Sequence, residues 1–316
     1  MADTVKKATR ESYGQALVDL AEEFPNLVVL DADLAAATKT GAFKKAHPER
    51  FFDCGIAEGN MMGIAAGLAT TGKVVFASSF AMFAAGRAFE QVRNSIGYPH
   101  LNVKIGATHA GISVGEDGAT HQCCEDIALM RTIPGMTVVC PADDREARQA
   151  VRAAIELNGP VYLRFGRLAV ENVTPEDYKF EIGRGVTLRD GGDVAIVATG
   201  LMVGEALKAA DQLAAEGISA RVINMATIKP LDRDIVVKAA TECGAIVTAE
   251  EHNVIGGLGA AVAECVCETV PVPVLRVGVE DKFGKSGPAL DLLPLFGLCA
   301  DNIAAHAREA VAKKAR

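Results

Sequence analysis

Short runs of aliphatic and β-branched residues alternate with helix-like stretches along most of this 316-residue chain. In the first half, these runs are residues 27–30, 74–77, 103–105, 137–140 and 161–163. Parallel strands joined by crossover helices produce this alternation, because each βαβ unit places a helix between two buried strands. The pattern therefore predicts an α/β fold built on a parallel sheet.

A polar stretch at residues 171–177 interrupts the alternation and is typical of a linker. Strand-like runs then resume at residues 193–198, 220–225, 245–248 and 272–277. We predict two α/β domains, the second smaller and with a mostly parallel sheet. The predicted bounds are 1–172 for the first domain, 173–190 for the linker and 191–316 for the second domain.

The balance of charge argues against several classes of partner. The net charge is −8 at pH 7, and no segment clusters the Lys and Arg residues that nucleic acid or an anionic membrane requires. Residues 1–7 lack the apolar core of a signal peptide, and no apolar run approaches the ~20 residues that span a bilayer. We therefore expect a cytoplasmic protein.

The eight cysteines show no metal-binding spacing. They form neither a Cys-X-X-Cys pair with a matching partner nor a Cys and His set suited to zinc. Because most lie among apolar residues, we expect buried, reduced thiols. Two pairs, Cys123 with Cys124 and Cys265 with Cys267, leave metal binding or reaction with oxidants open.

One loop gathers polar side chains at the end of a predicted strand. Residues 115–122 read Gly-Glu-Asp-Gly-Ala-Thr-His-Gln and follow the strand-like residues 102–109. Open α/β sheets bind ligands at the carboxyl ends of their strands, so Glu116, Asp117 and His121 are better placed to meet a substrate than to pack in a core. We predict that this loop forms half of an active site.

A second candidate is Glu58, in the first turn of a predicted helix. A carboxylate there interacts favourably with the helix dipole, which alone explains most such glutamates. Gly59, Gly63 and Gly67 follow at four-residue intervals, and each glycine inside a helix costs up to ~1 kcal/mol relative to alanine. Their shared face predicts close approach of another helix or subunit, with Glu58 beside that interface.

The third candidate is an aromatic pair, Phe80 and Phe83, after the strand-like residues 74–77. Packing in the core explains many such phenylalanines. Only 5% of the chain is aromatic, however, and two rings at the end of a strand are also suited to stack on a flat heterocycle. The residues alone leave both roles open.

In their order along the chain, these motifs resemble the C-terminal part of transketolases. The chain carries Ile-Ala-Glu at 56–58, Ser-Phe-Ala-Met-Phe at 79–83, the loop motif at 115–122 and Thr-Ile-Lys-Pro-Leu-Asp at 227–232. The similarity covers nearly the whole chain. It implies the C-terminal subunit of a split transketolase, in which a thiamine-pyrimidine-binding domain precedes a transketolase C-terminal domain.

The resemblance implies how the cofactor would be held. Glu58 would hydrogen-bond the pyrimidine ring of thiamine diphosphate and act as a catalytic residue. Phe80 and Phe83 would stack on the pyrimidine, and Ile56 would add an apolar contact. The reaction implied is transfer of a two-carbon ketol unit from a ketose phosphate to an aldose acceptor.

The resemblance also implies a set of substrate contacts. Asp117 and His121 would hold sugar hydroxyls near the reacting carbon, with His121 the second catalytic residue. At the other end of the sugar, His109, Arg167 and Arg10 would face the phosphate. Arginine suits that role because its planar fork makes two charge-assisted hydrogen bonds.

An absent motif implies a partner. Thiamine enzymes hold the diphosphate through a divalent cation bound at a Gly-Asp-Gly motif, and this tripeptide does not occur in the sequence. We therefore expect the cofactor to be shared with an N-terminal, diphosphate-binding transketolase subunit. That subunit would carry the Mg²⁺ or Ca²⁺, this chain would hold no metal, and self-association would give a heterotetramer.

Two departures from the family pattern leave the substrate open. Gly86 stands where many members carry a third aromatic residue near the pyrimidine. Residues 34–38 lack a serine often found on a phosphate-contacting loop, although Thr38 is a candidate substitute. Looser phosphate recognition and a different ketose are both consistent with these changes.

Three rival interpretations are open. Deoxyxylulose phosphate synthase shares a similar helix start and loop, but it generally has an arginine at the position of Phe83. The beta subunit of pyruvate-dehydrogenase-type decarboxylases has the same two domains but lacks the loop pattern at 116–121. A non-catalytic regulatory subunit is the third. The joint presence of five candidate site residues argues against it: Glu58, Phe80, Phe83, Asp117 and His121.

Overall fold

The computed structural model describes residues 6–314. In this part of the chain the strands form a seven-stranded sheet, a five-stranded sheet and a small two-stranded ribbon. The strands are β1 (Lys7–Ala8), β2 (Leu27–Asp31), β3 (Phe51–Asp53), β4 (Val74–Phe80), β5 (Val103–Thr108), β6 (Thr137–Val139), β7 (Val161–Arg164), β8 (Ala169–Val170), β9 (Val186–Arg189), β10 (Val194–Ala198), β11 (Ala220–Asn224), β12 (Thr227–Lys229), β13 (Ile246–Asn253) and β14 (Val274–Val279).

The helices cover the faces of the two large sheets. They are α1 (Thr9–Leu20), α2 (Ala35–Thr38), α3 (Gly41–Ala46), α4 (Glu58–Ala69), α5 (Phe89–Gln91), α6 (Asp126–Arg131), α7 (Asp144–Glu156), α8 (Met202–Ala215), α9 (Arg233–Cys243), α10 (Leu258–Glu268), α11 (Ala289–Leu295) and α12 (Ala300–Ala312). The described part of the chain also has two wider π-helical turns, Met82–Arg87 and Val92–Gly97, and two tighter 3₁₀ turns, Pro48–Arg50 and Ile112–Asp117.

The first sheet has the strand order β12-β6-β7-β5-β4-β2-β3. Its strands pair in parallel except for β12, which lies antiparallel against β6. Strands β2, β4 and β5 are buried along their whole length, and apolar residues make up most of each, as is typical of strands buried on both faces. Successive residues alternate between two cores, so Val29 packs on one side of the sheet and Leu30 on the other. The predicted parallel α/β class is confirmed.

The second sheet has the order β14-β13-β10-β11-β9, and only the edge strand β9 runs antiparallel. It forms the predicted second α/β domain with a mostly parallel sheet. Strand β9 lies inside the predicted linker, and β12, from the second domain's stretch of sequence, completes the edge of the first sheet. The two domains therefore share strands and a continuous hydrophobic core, which includes Tyr162 of β7 and Val197 of β10.

Other sequence-based expectations concern membranes, thiols and metals. Within residues 6–314 we find no helix whose length and apolar character would let it cross a bilayer. Cys123 and Cys124 are buried, and burial raises the pKa of both thiols well above its usual value, which disfavours the reactive thiolate. Among the described residues, no group of three or more His, Cys, Asp and Glu side chains is arranged to hold a metal ion.

Candidate active site

The order of the strands places the candidate residues at one edge of the first sheet. Phe80 ends β4 and pairs in register with Thr108, which ends the neighbouring β5. His109 therefore follows directly beside Phe80 at the carboxyl edge, where parallel sheets bind ligands. The π-helical turn after β4 carries Phe83 and Arg87, and such turns recur at functional sites.

Glu58 begins α4 and is buried, with 2% of its surface exposed. Its carboxylate pairs with Arg87, whose Nη1 donates to both Glu58 oxygens at 2.9 Å. A buried carboxylate without a partner would be strongly unfavourable, so this ion pair allows Glu58 to occupy an apolar position. The side chain of Arg87 is 52% exposed and lies over the acid on the solvent side.

Arg87 also joins the acid to the aromatic pair. Its guanidinium carbon lies 4.4 Å from the centre of the Phe83 ring, in a cation–π contact. The rings of Phe83 and Phe80 are nearly parallel, with centres 5.8 Å apart. His109 stacks on Phe80 at 3.8 Å, and His121 meets Phe83 edge-on at 5.2 Å. One continuous set of contacts thus runs from the carboxylate to both imidazoles.

His109 is held in a single protonation state. Its backbone has φ +55°, a left-handed conformation that is uncommon for a residue other than glycine. Arg10 Nη1 lies 2.7 Å from Nε2, and because arginine can only donate, Nε2 accepts. The other nitrogen, Nδ1, then carries the proton toward Thr108 Oγ1 at 2.9 Å. Burial, reinforced by Arg10 and Arg167, lowers the pKa of His109 to about 3, so the ring is neutral at physiological pH.

Two arginines stand at the outer end of this cluster. Arg10 donates to the carbonyl of Ala37 at 3.1 Å as well as to His109. Arg167 pairs with Glu116 at 2.8 Å and also donates to the carbonyl of Val114. Arg10, Glu116 and Arg167 line one open cleft, which gives an anionic ligand two cations to approach.

The remaining candidates lie at the rim. Asp117 ends the 3₁₀ turn Ile112–Asp117 and is exposed, and His121 follows it after a bend, with Nδ1 2.9 Å from Thr120 Oγ1. Ile56 precedes α4 and is 77% exposed. Asp117 and Ile56 thus face solvent at the edge of the cluster, where a substrate or another subunit has access to them.

Comparison with known proteins fits this arrangement. Residues 5–172 match the family model "Transketolase, pyrimidine binding domain", and residues 183–303 match "Transketolase, C-terminal domain". The chain belongs to the transketolase family.

Several relatives match over nearly their whole length. A putative transketolase C-terminal section from Methanocaldococcus jannaschii is 51% identical and covers 98% of each chain. A 6-deoxy-6-sulfo-D-fructose transketolase subunit from a Clostridium species is 45% identical, covering 96% of this chain and 95% of the relative. Among solved structures, a split gene transketolase described as an inactive β4 tetramer is 56% identical, with a TM-score of 0.90 and coverage of 98% and 99%. The chain therefore corresponds to the C-terminal section of a transketolase divided between two polypeptides.

Membership of the transketolase family implies thiamine diphosphate as the cofactor, and the cluster fits one half of it. A pyrimidine ring offers two flat faces and a polar edge, which match the phenylalanine pair and the carboxyl group of Glu58. The diphosphate half needs a cation held by oxygen ligands, and no group of three or more His, Cys, Asp and Glu side chains in the described part of this transketolase chain is arranged to hold one. The residues of this cluster thus fit the pyrimidine half of the cofactor.

Sequence reasoning missed Arg87 in this transketolase chain, and the structure does not support Thr38 as the substitute for the missing serine. Arg87 belongs to no motif, and its only signal is that it follows Phe83 by four residues on one helical turn. Thr38 is buried and its hydroxyl donates to Asp31 at 2.7 Å, so it is not presented to the cleft as a substitute phosphate ligand. At Gly86, a Cβ would overlap the end of the flexible Met82 side chain.

The ion pair makes a prediction about stability. Arg87→Met leaves the Glu58 carboxylate buried without a partner, so the free energy of unfolding in urea should fall by about 1–3 kcal/mol. Adding Glu58→Gln removes the charge and should recover part of that loss. Arg93→Met, an exposed arginine nearby in the chain, is the control and should change stability little. Simple additivity of the Arg87 and Glu58 effects would contradict the pairing.

The hydrogen bonds of His109 make a prediction about pH. Its folded pKa lies far below the value near 6.5 of an unperturbed histidine, so the ring should stay neutral and protonated on Nδ1 down to pH 5. The favourable effect of the buried neutral ring on stability is therefore present above pH 6.5 and is lost as pH falls toward 3. NMR of ¹⁵N-histidine-labelled protein, with His109→Gln for assignment, measures the tautomer. Titration near pH 6.5 would contradict the geometry.

Proposed function

We propose that this chain is the C-terminal, pyrimidine-binding subunit of a thiamine-diphosphate-dependent transketolase. With a diphosphate-binding partner, it would transfer a two-carbon ketol unit from a ketose phosphate to an aldose acceptor. The observation that carries the proposal is the buried carboxyl group of Glu58, joined through Arg87 to the aromatic pair in a domain of the matching family. When bound, thiamine diphosphate would supply the carbanion chemistry that amino-acid side chains lack.

The role of Glu58 sets a requirement on Arg87. A pyrimidine ring nitrogen carries no hydrogen, so Glu58 has to hold a proton on one carboxyl oxygen in order to donate to it. In the free chain Arg87 Nη1 donates to both carboxyl oxygens, so neither oxygen is free to donate to a ring nitrogen. In the working enzyme Arg87 therefore has to release at least one oxygen. Its half-exposed position gives it room to move.

The other residues would orient and bind the sugar. His121 and the exposed Asp117 would contact hydroxyls near the reacting carbon. His109 is neutral and held by Arg10, so it would contact the sugar without adding positive charge. The positive charge that binds the anionic end of the sugar would come from Arg10 and Arg167. Catalysis by this chain would thus rest mainly on positioning around a buried acid.

A partner subunit is needed for the missing half of the site. We propose an N-terminal diphosphate-binding transketolase subunit that also holds the Mg²⁺ or Ca²⁺, with two copies of each chain in a heterotetramer. The inactive β4 tetramer named for the similar solved structure supports both self-association and the need for a second chain. The exposed Gly63 and Gly67 on α4, with open space around both, support a docking face beside Glu58. A cytoplasmic location stays a prediction.

The sugar itself is the least specified part of the proposal. One relative is named for a sulfonated fructose rather than a sugar phosphate, so an anionic end group is the feature that we carry over. Phe83 favours a transketolase over a deoxyxylulose-phosphate-synthase-like subunit, which generally has arginine there. The two remaining candidate functions are those of a pyruvate-dehydrogenase-beta-like subunit and of a non-catalytic regulatory subunit.

Reconstitution tests the proposal. Alone, the chain should show no thiamine diphosphate binding by calorimetry and no ketol transfer, because it lacks the diphosphate site. Mixed with its diphosphate-binding partner, it should gain both, and xylulose, fructose and sedoheptulose phosphates should be compared as donors. Glu58→Gln should lower turnover by at least ~10²-fold, because the amide nitrogen of glutamine keeps its protons and cannot transfer one to the pyrimidine ring.

The controls separate chemistry from assembly. Glu58→Gln should co-elute with the partner in the same complex as the unchanged chain. Glu90→Gln, at an exposed glutamate of α5, should keep full activity. Full activity from the isolated chain, or from the complex of the Glu58→Gln variant, would overturn the proposal.

A further inference from the structure

Gln122 connects the active-site loop of the first domain, here taken as residues 111–122, to the second domain. This residue follows His121 directly and is 3% exposed. Its Nε2 group lies 3.0 Å from the carbonyl of Ile112 and 3.3 Å from that of Gly115, both in the loop. It also lies 3.0 Å from the carbonyl of Lys285, in the second domain. Gln122 thus shares its two N–H bonds between the loop and a segment distant in sequence.

That segment, residues 281–288, fits closely against the loop. At Gly284 a Cβ would overlap the side-chain amide of Gln122, so any larger residue there has to displace that amide. At Gly118 a Cβ would overlap the hydroxyl of Ser286. The approach continues at Gly115, where a Cβ would lie 3.3 Å from the carbonyl of Gly287. Two backbones packed this tightly constrain each other's position.

A second attachment lies at the start of the same loop. Glu251, buried in β13 of the second domain, accepts a hydrogen bond from the backbone N–H of Ser113 at 2.5 Å. A Cβ on Gly111 would overlap the Glu251 carboxyl group. Arg164 of β7 holds β13 in place by donating to the carbonyl of Glu251 at 2.8 Å, and it is itself paired with Asp126 at 2.8 Å.

The side chain of Gln122 is not the choice that favours stability most, because one of its polar atoms is buried without a hydrogen bond to any described residue. Its Oε1 is buried and has no hydrogen-bond partner among the described residues. A buried carbonyl oxygen without a hydrogen bond is unfavourable, and an apolar side chain of similar size would avoid that cost. The N–H bonds offset this cost by fixing the carbonyls of Ile112 and Gly115 on either side of the loop.

We propose that Gln122 and Glu251 are positioning residues through which the second domain fixes Asp117 and His121 for the reaction. The inference rests on the proposed function. Neither residue lies among the groups assigned to cofactor or sugar, and each acts through the backbone between Gly111 and His121. On this account the second domain, whose own surface carries no assigned chemistry, is a structural part of the active site.

The first test uses Gln122→Met in the complex with the diphosphate-binding subunit. Met keeps the size of the side chain and removes its hydrogen bonds. We expect kcat/KM for ketol transfer to fall about 10–100-fold, as expected for a small misplacement of sugar-binding groups, while the cofactor Kd changes less than about twofold. Hydrogen exchange should speed up at amides 113–121 and stay unchanged in β4 and β5.

The second test asks whether Gly284 of the second domain affects the loop through Gln122. Gly284→Ala should reduce kcat/KM because its methyl group displaces the Gln122 amide. In a Gln122→Ala background that overlap is gone, so Gly284→Ala should cost little more. Gly192→Ala, at a glycine of the second domain with open space around it, is the matched control and should leave kcat/KM unchanged.

The outcomes separate this inference from the proposed function. An unmodified complex without ketol transfer would refute the proposed function, and the exchange measurement would still decide whether Gln122 orders the loop. With an active unmodified complex, unchanged kinetics and exchange in Gln122→Met would overturn the inference. Independent, additive effects of Gly284→Ala and Gln122→Ala would overturn it as well.

Discussion

The pairing of Glu58 with Arg87 is the interaction on which the candidate site depends. An ionised carboxylate with almost no exposure is tolerated only with a close counter-charge, and Arg87 supplies it from the turn that also carries Phe83. The guanidinium that balances the charge of Glu58 therefore also lies over the Phe83 ring. As a result, the acid, the rings and the two imidazoles form one connected group instead of separate features.

The strand order and the second domain give this group its fixed frame. Strands β4 and β5 end in register, so Phe80 and His109 meet without any adjustment of the loops. The loop beyond β5 contains the 3₁₀ turn Ile112–Asp117, and Gln122 and Glu251 connect it to the second domain by hydrogen bonds. The sheet thus holds Phe80 and His109, whereas contacts between the domains hold the loop that carries Asp117 and His121.

Local patterns predicted much of this structure, and long-range contacts account for the rest. Apolar runs marked the strands because parallel strands are buried on both faces, and the start of α4 was visible at Glu58. Arg87 lies 29 residues from Glu58, and Ser113 lies 138 from Glu251, so no spacing rule connects either pair. The buried bond of Thr38 to Asp31 likewise depends on how the chain folds back.

We propose that Glu58 gives up its pairing with Arg87 and donates to the pyrimidine ring when the cofactor is bound. Infrared difference spectroscopy of the complex with its diphosphate-binding subunit, before and after thiamine diphosphate is added, measures this change at the carboxyl group. We expect a new protonated-carboxyl band that is absent from the Glu58→Gln complex. A difference spectrum without that band, from a complex that binds the cofactor and turns over, would contradict it.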